Sequence, residues 1–287
     1  MLISLGNAGQ FGNGYLSCAH RIADVIEAGY RAWLCDLGRY RPMLRSARPR
    51  ANVRLLGPGA FWAGRVFSKA ASIFGRRSKI AFAGVTLVRE PGFRLDVPHA
   101  EITERARRGL VIHDGWLFRN GPALQRHADA VREALAFRPE FEQEAQARFD
   151  ELKGGRRFVV GMHVRRGDYA RFCDGRFLFD DSTYLRLAVE AVRALGDPGQ
   201  TVVVGFSNER LQWPGALEGV PVRQAGGAWW SDFLCLSRCD VILGPPSTFS
   251  GAASFAGAVP WFQIKHAEAG FCLEQARVYP DGGIHVD

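Results

Sequence analysis

Residues 158–169 constrain the fold of this chain more than any other stretch. A nearly continuous apolar run, FVVGMHV, ends abruptly in two arginines, a glycine and an aspartate. Such runs form strands buried on both faces of a parallel sheet, and open α/β sheets bind ligands at the carboxyl ends of their strands. Arg165 and Arg166 each carry a planar guanidinium that can donate paired hydrogen bonds to phosphate oxygens. The stretch therefore predicts a buried strand with an anion site at its end.

The length and charge of the chain bound its organisation and its partners. At 287 residues the chain exceeds an ordinary single domain, so we expect two α/β domains. The highly charged stretch at residues 140–153 is expected to hold the connection between them, which gives domains at residues 1–150 and 151–287. Lysine and arginine number 37 against 29 acidic residues, and the net charge of +8 favours anionic partners such as phosphates, nucleic acids or acidic membrane surfaces. The six cysteines show no paired-ligand spacing, which is typical of small buried residues in a reducing compartment.

The sequence shows no pattern typical of a signal peptide or a membrane span. Its first residues lack a basic start and an apolar core, and no run approaches ~18 consecutive apolar residues. We therefore expect a soluble, cytoplasmic protein. Residues 61–77 mix aromatic and basic side chains at helical spacing. This pattern indicates either an ordinary amphipathic surface helix or a helix that lies on an anionic membrane.

The first half opens with a strand, a glycine-rich loop, a helix and a second strand within residues 1–36. Such a unit is expected to be parallel, with a right-handed crossover. The loop at residues 6–14 lacks the spacing of a dinucleotide fingerprint. It either brings the backbone close to a ligand, with Gly12 and Asn13 at the site, or it is an ordinary glycine turn.

Two further strands are predicted in the first half. Residues 80–88 read as one strand, and residues 110–116 read as a strand that runs into a polar corner. His113 and Asp114 lie at that corner. They are candidates for a functional site, and the alternative is a hydrogen-bonded pair that only stabilises the turn.

Three predicted strands of the second half end in polar residues. The carboxyl ends of parallel strands meet at one edge of a sheet, where ligands bind. Arginines, hydroxyls and a helix N-terminus at one edge all favour a diphosphate. Taken singly, paired arginines are often solvated or ion-paired, and Ser-Thr is an ordinary helix cap. The residues at the three strand ends are His163, Arg165, Arg166 and Asp168, then Ser207, Asn208 and Glu209, and finally Ser247, Thr248 and Ser250.

The segment HVRRGDY at residues 163–169 resembles the signature of the inverting fucosyltransferases. The similarity is greatest to the α-1,2-fucosyltransferase family, which is glycosyltransferase family 11, and more distant to the α-1,6 and protein O-fucosyltransferases. Other stretches are similar to further motifs of that family, in the same order and across most of the chain. They are residues 9–13, 115–118, 137–139, 206–209, 232–240 and 247–252.

This resemblance implies an α/β fold of the GT-B type, with two Rossmann-like domains that face each other across a cleft. It places the acceptor side in the domain of residues 1–150 and the GDP-sugar in the domain of residues 151–287. The sequence departs from the family after Ser250, where Gly251, Ala252 and Ala253 replace a tryptophan pair. The first half matches the family least, so the resemblance speaks more clearly for the donor than for the acceptor.

The resemblance also implies roles for individual residues. Arg165 would bind the β-phosphate of the donor, with Arg166 in support, and Asp232 would accept hydrogen bonds from N1 and N2 of guanine. His163 would lie beside the guanosine, and Ser247, Thr248 and Ser250 would cap the pyrophosphate. Ser207 and Asn208 occupy a further donor-side motif, whereas Gly12, Asn13, His113 and Asp114 are the candidates on the acceptor side.

The implied chemistry needs no metal and no cofactor beyond GDP-fucose as co-substrate. Fixed guanidinium groups stabilise the negative charge that grows on the departing GDP, and no Asp-x-Asp metal motif appears in the sequence. Arg165 and Asp168 are the catalytic candidates. A general base must take the proton of the acceptor hydroxyl, and the sequence leaves Asp168, Asp174 and Asp114 open for that role.

The partners expected are GDP-fucose and a glycan acceptor, and nucleic acid is not expected. An acceptor carried on a lipid would make the protein peripheral to the inner membrane. Three alternatives stay open at this point. They are a transferase for another GDP-sugar, a non-catalytic GDP-binding homologue, and a basic nucleic-acid-binding protein, which would show a basic face with interleaved aromatic residues.

Overall fold

The computed structural model describes residues 1–6, 9–71, 77–90, 95–281 and 283–284. The chain divides into two compact units, Met1–Arg138 and Pro139–Asp287. The boundary predicted between residues 150 and 151 falls instead within a helix of the second unit, Pro139–Lys153. That helix goes with the second unit because it packs on the helix Trp229–Leu236.

The first unit is a six-stranded sheet with helices between its strands. Its elements are β1 (Leu2–Ser4), α1 (Phe11–Ala28), β2 (Ala32–Leu34), β3 (Val53–Leu55), α2 (Pro58–Ala71), β4 (Lys79–Phe82), β5 (Val85–Arg89), α3 (His99–Arg108), β6 (Leu110–Asp114), α4 (Gly121–Arg126) and α5 (Ala128–Ala134). The strand order is β3-β2-β1-β6-β5-β4. The predicted parallel arrangement of β1 and β2 is confirmed, and β4 pairs antiparallel with β5.

The single strand predicted over residues 80–88 is wrong, because the structure has a hairpin there. Phe82 pairs with Val85, and the two residues between them, Ala83 and Gly84, have φ values of 48° and 80°. Two consecutive positive φ angles form the tight turn whose twist matches that of two antiparallel strands. The glycine at the second position is the signal in the sequence that could have predicted the turn.

Helix α2 covers the first part of the aromatic and basic stretch at residues 61–77. It ends at Ala71, and residues 72–76 lie outside the described part of the chain. Trp62 and Val66 on this helix are 58% and 71% exposed, so it is a surface helix with an apolar outer face. In the described part of the chain, no helix is long and apolar enough to cross a membrane.

The second unit repeats the architecture with a second six-stranded sheet. Its elements are α6 (Pro139–Lys153), β7 (Phe158–Val164), α7 (Asp181–Leu195), β8 (Thr201–Ser207), β9 (Ala216–Leu217), β10 (Val220–Gln224), α8 (Trp229–Leu236), β11 (Val241–Gly244), α9 (Thr248–Gly257) and β12 (Trp261–Gln263). The strand order is β12-β11-β7-β8-β10-β9. The neighbours from β12 to β10 pair in parallel, and β9 runs antiparallel to β10.

Strand β7 lies in the middle of this second sheet, as the apolar run predicts. It pairs in parallel with β8 on one side and β11 on the other, and every residue from Val159 to Val164 is buried. A Cβ atom on Gly161 would lie 2.7 Å from Sγ of Cys239. The end of α8 and the residues that follow it are therefore packed closely against β7. The polar residues begin after Val164, where this strand ends.

Candidate functional site

Three strand ends of the second unit meet at one edge of its sheet, as predicted. Val164, the last residue of β7, pairs with Ser207, the last residue of β8. On the other side, a Cβ atom on Gly244 at the end of β11 would lie 2.8 Å from the carbonyl oxygen of His163. The segments after β7, β8 and β11 therefore leave the sheet side by side.

Arg165 is the first residue after β7. Its Nη2 donates to both carboxylate oxygens of Asp168, at 2.8 and 2.9 Å, and its guanidinium carbon lies 5.0 Å from the centre of the Tyr169 ring. The side chain of Arg165 is 18% exposed and that of Asp168 is 63% exposed. The Nε of Arg165 is buried and has no hydrogen-bond partner among the described residues. Because the Asp168 carboxylate is largely exposed, water screens its attraction to this guanidinium, so an anion can compete with Asp168 at small cost.

Arg166 has partners of a different kind. Its Nη1 donates to the carbonyl oxygen of Phe179 at 2.8 Å, and its Nη2 contacts Oδ1 of Asp181 at 2.5 Å. Asp181 is the first residue of α7 and also accepts a hydrogen bond from the indole of Trp213 at 2.8 Å. Arg166 thus fixes the loop after β7 to the start of the next helix, which matches the supporting role implied by the family resemblance.

His163 is buried at the end of β7 beneath α9. Its Nδ1 lies 2.6 Å from Oγ of Ser250, and its ring centre lies 5.2 Å from that of Phe249. Burial, together with the nearby charge of Arg165, lowers the pKa of His163 to about 3. The ring is therefore neutral at physiological pH, and it holds α9 against the motif strand.

The remaining hydroxyl groups at this edge are largely engaged with the protein backbone. Ser247 is the N-cap of α9 and accepts a hydrogen bond from the amide of Phe249 at 3.2 Å, and Oγ of Ser207 accepts one from the amide of Glu209, also at 3.2 Å. Thr248 is half-buried and Asn208 is exposed. The capping arrangement leaves the N-terminus of α9 at the sheet edge, where its dipole favours an anion.

Asp232 lies in the first turn of α8, which follows β10 at the same edge. Its Oδ1 accepts a hydrogen bond from the amide of Gly227 at 3.3 Å. Burial raises the pKa of Asp232 to about 6, although the Gly227 amide and the charge of Arg148 act in the opposite direction. A carboxylate can accept about four hydrogen bonds, so this half-buried group can also accept two parallel hydrogen bonds from a ligand.

The predicted site residues of the first unit belong to a separate set of contacts. Nε2 of His113 lies 3.1 Å from Oε1 of Glu90, and Asp114 accepts from the hydroxyl of Ser68 at 2.9 Å and pairs with Arg89 at 3.7 Å. Burial lowers the pKa of His113, and Arg21 adds to that effect while Glu90 opposes it. These contacts agree with the alternative in which the pair stabilises the corner.

The glycine loop of the first unit leads into α1. Gly12 is buried and Asn13 is half-buried in the first turn of that helix. A Cβ atom on Gly6, whose φ is +70°, would lie 2.3 Å from the carbonyl oxygen of Cys35. At this position the glycine is required for close packing against the chain after β2. Residues 7–8 of the loop lie outside the described part of the chain.

Three residues that the sequence did not single out complete the site of the second unit. The hydroxyl of Tyr169 donates to the carbonyl oxygen of Pro246 at 2.5 Å, which joins the loop after β7 to the loop before α9. The ring of Phe249 contacts both His163 and Phe233, the latter at 5.7 Å between ring centres. Arg148 of α6 acts on the pKa of Asp232. Tyr169 could have been found as part of the motif, whereas no spacing in the sequence relates α6 to α8.

The charged groups at this edge include both of the catalytic candidates in the motif. Asp174, the other candidate base in this unit, is exposed and has a φ of 56°, next to Cys173 with a φ of 47°. Two neighbouring non-glycine residues in the left-handed region store backbone strain, which is common at functional sites. Among the described residues no group of three or more His, Cys, Asp or Glu side chains is placed to hold a metal ion.

Comparison with protein families and comparison with curated proteins both find similarity to glycosyltransferases. The model of glycosyl transferase family 11 matches residues 123–258. Galactoside alpha-(1,2)-fucosyltransferase 1 of Homo sapiens is 27% identical over 143 residues, which cover 44% of this chain and 38% of that protein. The protein of the same name from Plecturocebus brunneus is 29% identical over 138 residues, again 44% of this chain and 38% of the relative. The chain thus matches less than half the length of these relatives.

Solved structures with the same fold include several fucosyltransferases. The NodZ alpha-1,6-fucosyltransferase of Bradyrhizobium, soaked with GDP-fucose, has a TM-score of 0.61 and 17% identity over 94% of this chain and 97% of that chain. A variant of Arabidopsis thaliana FUT1 in complex with GDP has a TM-score of 0.61 and 10% identity, covering 96% and 73% of the two chains. These neighbours confirm the predicted α/β fold of the GT-B type, and the three comparisons together fit the fucosyltransferase superfamily.

Proposed function

We propose that this chain is an inverting fucosyltransferase, which moves L-fucose from GDP-fucose to a glycan hydroxyl in an α-1,2 linkage without a metal ion. The family match and the curated relatives support fucosyl transfer. Structural neighbours solved with GDP or GDP-fucose support the donor. The observation that carries the proposal is the sheet edge of the second unit, where Arg165, Asp232 and the N-terminus of α9 follow the parallel strands β7, β10 and β11.

Arg165 is the residue to which we assign the diphosphate. Its ion-pair partner Asp168 is largely exposed, and its buried Nε has no hydrogen-bond partner among the described residues. A buried donor without an acceptor is costly, and a phosphate oxygen relieves that cost. The guanidinium lies on the Tyr169 ring, so it is already oriented before the donor binds.

The reaction is a displacement at the anomeric carbon of fucose. The acceptor hydroxyl oxygen forms a bond to that carbon while the bond to the β-phosphate oxygen breaks, and GDP leaves with the electron pair. Arg165 stabilises the negative charge that grows on the leaving phosphate, which is an interaction stronger in the transition state than in the ground state. The proton of the acceptor hydroxyl passes to a base, for which we keep Asp168, Asp174 and Asp114 as candidates.

Asp232 is the residue to which we assign the guanine base. A carboxylate accepts two parallel hydrogen bonds from N1 and N2 of guanine, whereas adenine and uracil do not offer that pair of donors. The hydrogen bond from the Gly227 amide holds one carboxylate oxygen in place. The ring of Phe233, the next residue, packs on Phe249 of α9. The helix proposed to contact guanine is therefore packed against the helix proposed to contact the diphosphate.

Calorimetry with GDP, GDP-fucose, GDP-mannose and UDP tests the donor site. We expect GDP to bind and UDP to bind at least ~100-fold more weakly, because UDP lacks the donor pair that Asp232 accepts. Arg165→Ala and Asp232→Asn should each weaken GDP binding by at least ~10-fold. Arg157→Ala, at the opposite end of β7, is the matched control and should bind GDP as the wild type does.

Two outcomes would refute the proposal. The first is tighter binding of UDP than of GDP. The second is a GDP affinity that Arg165→Ala and Arg157→Ala change equally, since the guanidinium at the strand end would then have no specific role. Turnover of GDP-mannose in place of GDP-fucose would leave the GDP site in place and favour a transferase for another GDP-sugar.

A further inference from the structure

The first unit contains a cavity of about 540 Å³ that the proposed donor site does not use. Its volume is within the ~300–1,000 Å³ range of small-molecule sites. Four arginines are among the ten residues that line it, and none of the described lining residues is acidic. The lining residues are Arg41, Pro42, Leu44, Arg45, Ala47, Arg54, Leu55, Leu56, Gly57 and Arg138.

Three backbone segments that are bonded to each other build the walls of this arginine-lined cavity. The amide of Arg45 donates to Ala136 at 2.9 Å, and the amide of Arg138 donates to Met43 at the same distance. The amide of Leu55 on β3 donates to Ala47 at 2.8 Å. The cavity is therefore a built feature of the unit, next to β3 and the chain after β2.

Two of the four arginines are fixed by carbonyl groups of the wall. Nη1 of Arg41 donates to Leu44 at 2.9 Å, and Nη1 of Arg138 donates to Pro42 at 3.3 Å. Burial lowers the pKa of Arg41, and the charge of Arg138 lowers it further. The Nε of Arg41 is buried without a hydrogen-bond partner in the described part of the chain.

The other two arginines are exposed at the rim of the cavity. The side chains of Arg45 and Arg54 have no hydrogen bond or ion pair with any described residue. Four like charges around one cavity repel each other, and the attraction of each to a bound anion offsets that repulsion. Guanidinium forks fit the two oxygens of a carboxylate or a phosphate in a bidentate manner.

The composition of the walls narrows the kind of anion. Aliphatic side chains and a proline separate the arginines, and the described lining includes no aromatic ring. Nucleotides and single-stranded nucleic acids are held mainly by stacking of their bases on aromatic side chains, so the cavity does not favour them. A saccharide with an acid group needs only the guanidinium contacts and small apolar surfaces.

We propose that this arginine-lined cavity binds a carboxylate or phosphate group of the acceptor glycan, so that the acceptor is an anionic saccharide. The identity of the ligand as an acceptor rests on the proposed function. The presence of an anion site in the first unit does not, because it follows from the arginines, their contacts and the walls alone.

Binding experiments without any GDP-sugar test this inference. The probes are a glucuronate-containing tetrasaccharide with its carboxyl-reduced neutral counterpart, and galactose 6-phosphate with galactose. At low ionic strength, calorimetry should show at least ~10-fold tighter binding of an acidic probe than of its neutral partner, as expected for a bidentate charged contact. The double variant Arg45→Ala/Arg54→Ala should lose that preference.

The matched control is Arg31→Ala/Arg108→Ala, which removes two positive charges from exposed positions of the same unit that do not line the cavity. It should keep the preference for the acidic probe. Equal binding of acidic and neutral probes to the wild type would overturn the inference, and so would equal loss in the two double variants. Binding of inorganic pyrophosphate without binding of either acidic saccharide would overturn the assignment to a glycan.

The result is separable from that of the donor-site experiment. Arg45→Ala/Arg54→Ala should bind GDP as the wild type does, because the proposed GDP contacts all lie in the second unit. Binding of an acidic probe in a protein that does not bind GDP would refute the proposed function and keep the anion site. GDP binding without a preference for acidic probes would refute the anion site and keep the proposed donor.

Discussion

Arg165 and Arg166 are adjacent in the sequence but have different partners in the structure. Arg166 donates to a backbone carbonyl and to the first residue of α7, so it stabilises the loop. The side chain of Arg165 contacts the exposed Asp168 and the Tyr169 ring. The sequence predicts both arginines at a strand end, but it does not predict which one is engaged, because the two partners of Arg166 lie 13 and 15 residues further along the chain.

This difference predicts that substitution of Arg166 mainly lowers stability, whereas substitution of Arg165 mainly weakens GDP binding. Arg166→Ala should lower the free energy of unfolding by about 1–3 kcal/mol, because it removes the hydrogen bond to the carbonyl of Phe179 and the charged contact with Asp181. Arg165→Ala should change it by less than about 1 kcal/mol, because Asp168, the partner in its ion pair, is 63% exposed, while it should weaken GDP binding by at least ~10-fold. Urea denaturation and calorimetry on both variants check this, and a larger loss of stability in Arg165→Ala would contradict the division of roles.

Asp232 predicts a pH dependence of donor binding. Burial raises its pKa to about 6, so below that pH the carboxyl group is protonated and cannot accept two hydrogen bonds from guanine. The affinity for GDP-fucose should therefore rise with pH and be roughly tenfold greater at pH 7 than at pH 5. GDP-fucose is the suitable ligand because its diphosphate, being esterified at both ends, does not titrate in this range.

Asp232→Asn is the control for this titration. It should bind GDP-fucose weakly and with little change between pH 5 and pH 7, because an amide does not ionise. A variant that keeps the wild-type pH profile would show that another group titrates. His163 is not expected to contribute, because burial holds its pKa at about 3.

Helix α9 and strand β7 form one assembly through buried polar and aromatic contacts. The Ser250 hydroxyl bonds to His163, and Phe249 packs on the same imidazole ring. The sequence predicts both elements, because the apolar run of β7 and the Ser-Thr cap of α9 are strong local signals. It does not predict that Ser250 faces a histidine rather than a ligand, since that depends on the pairing of β7 with β11.

Two serines of α9 offer a matched test of this contact. Ser250 and Ser254 are both fully buried, and Ser254 donates to the carbonyl of Val259 at 2.7 Å, away from the motif. Each change to alanine should cost about 1–3 kcal/mol of stability, because a buried polar partner is left unsatisfied. Only Ser250→Ala should also weaken GDP binding, through release of the His163 ring. Equal GDP affinities in the two variants would contradict the role given to this contact.

At the scale of the whole chain, the sequence predicts the class of fold better than its division. Strand and helix alternation and the order of the motifs lead to the confirmed α/β fold. The observed division differs from the predicted boundary because the charged outer face of α6 is typical of a linker, while its inner face packs on α8. Sγ of Cys235 donates to the carbonyl oxygen of Ala145, and the Phe141 ring lies against that of Trp230. The arginine-lined cavity was also missed, because its residues come from three separate stretches of chain.

The central claim is that the edge of the second sheet activates GDP-fucose through Arg165. Its most direct test is the rate of GDP release from GDP-fucose with a panel of neutral and acidic galactose-terminated oligosaccharides in the presence of a chelator. The wild type should turn over GDP-fucose faster than GDP-mannose, and Arg165→Lys should lower kcat by about 10²–10³-fold while Arg157→Lys leaves it unchanged. Equal rates in the two variants, or turnover that appears only when a divalent metal is added, would contradict the account.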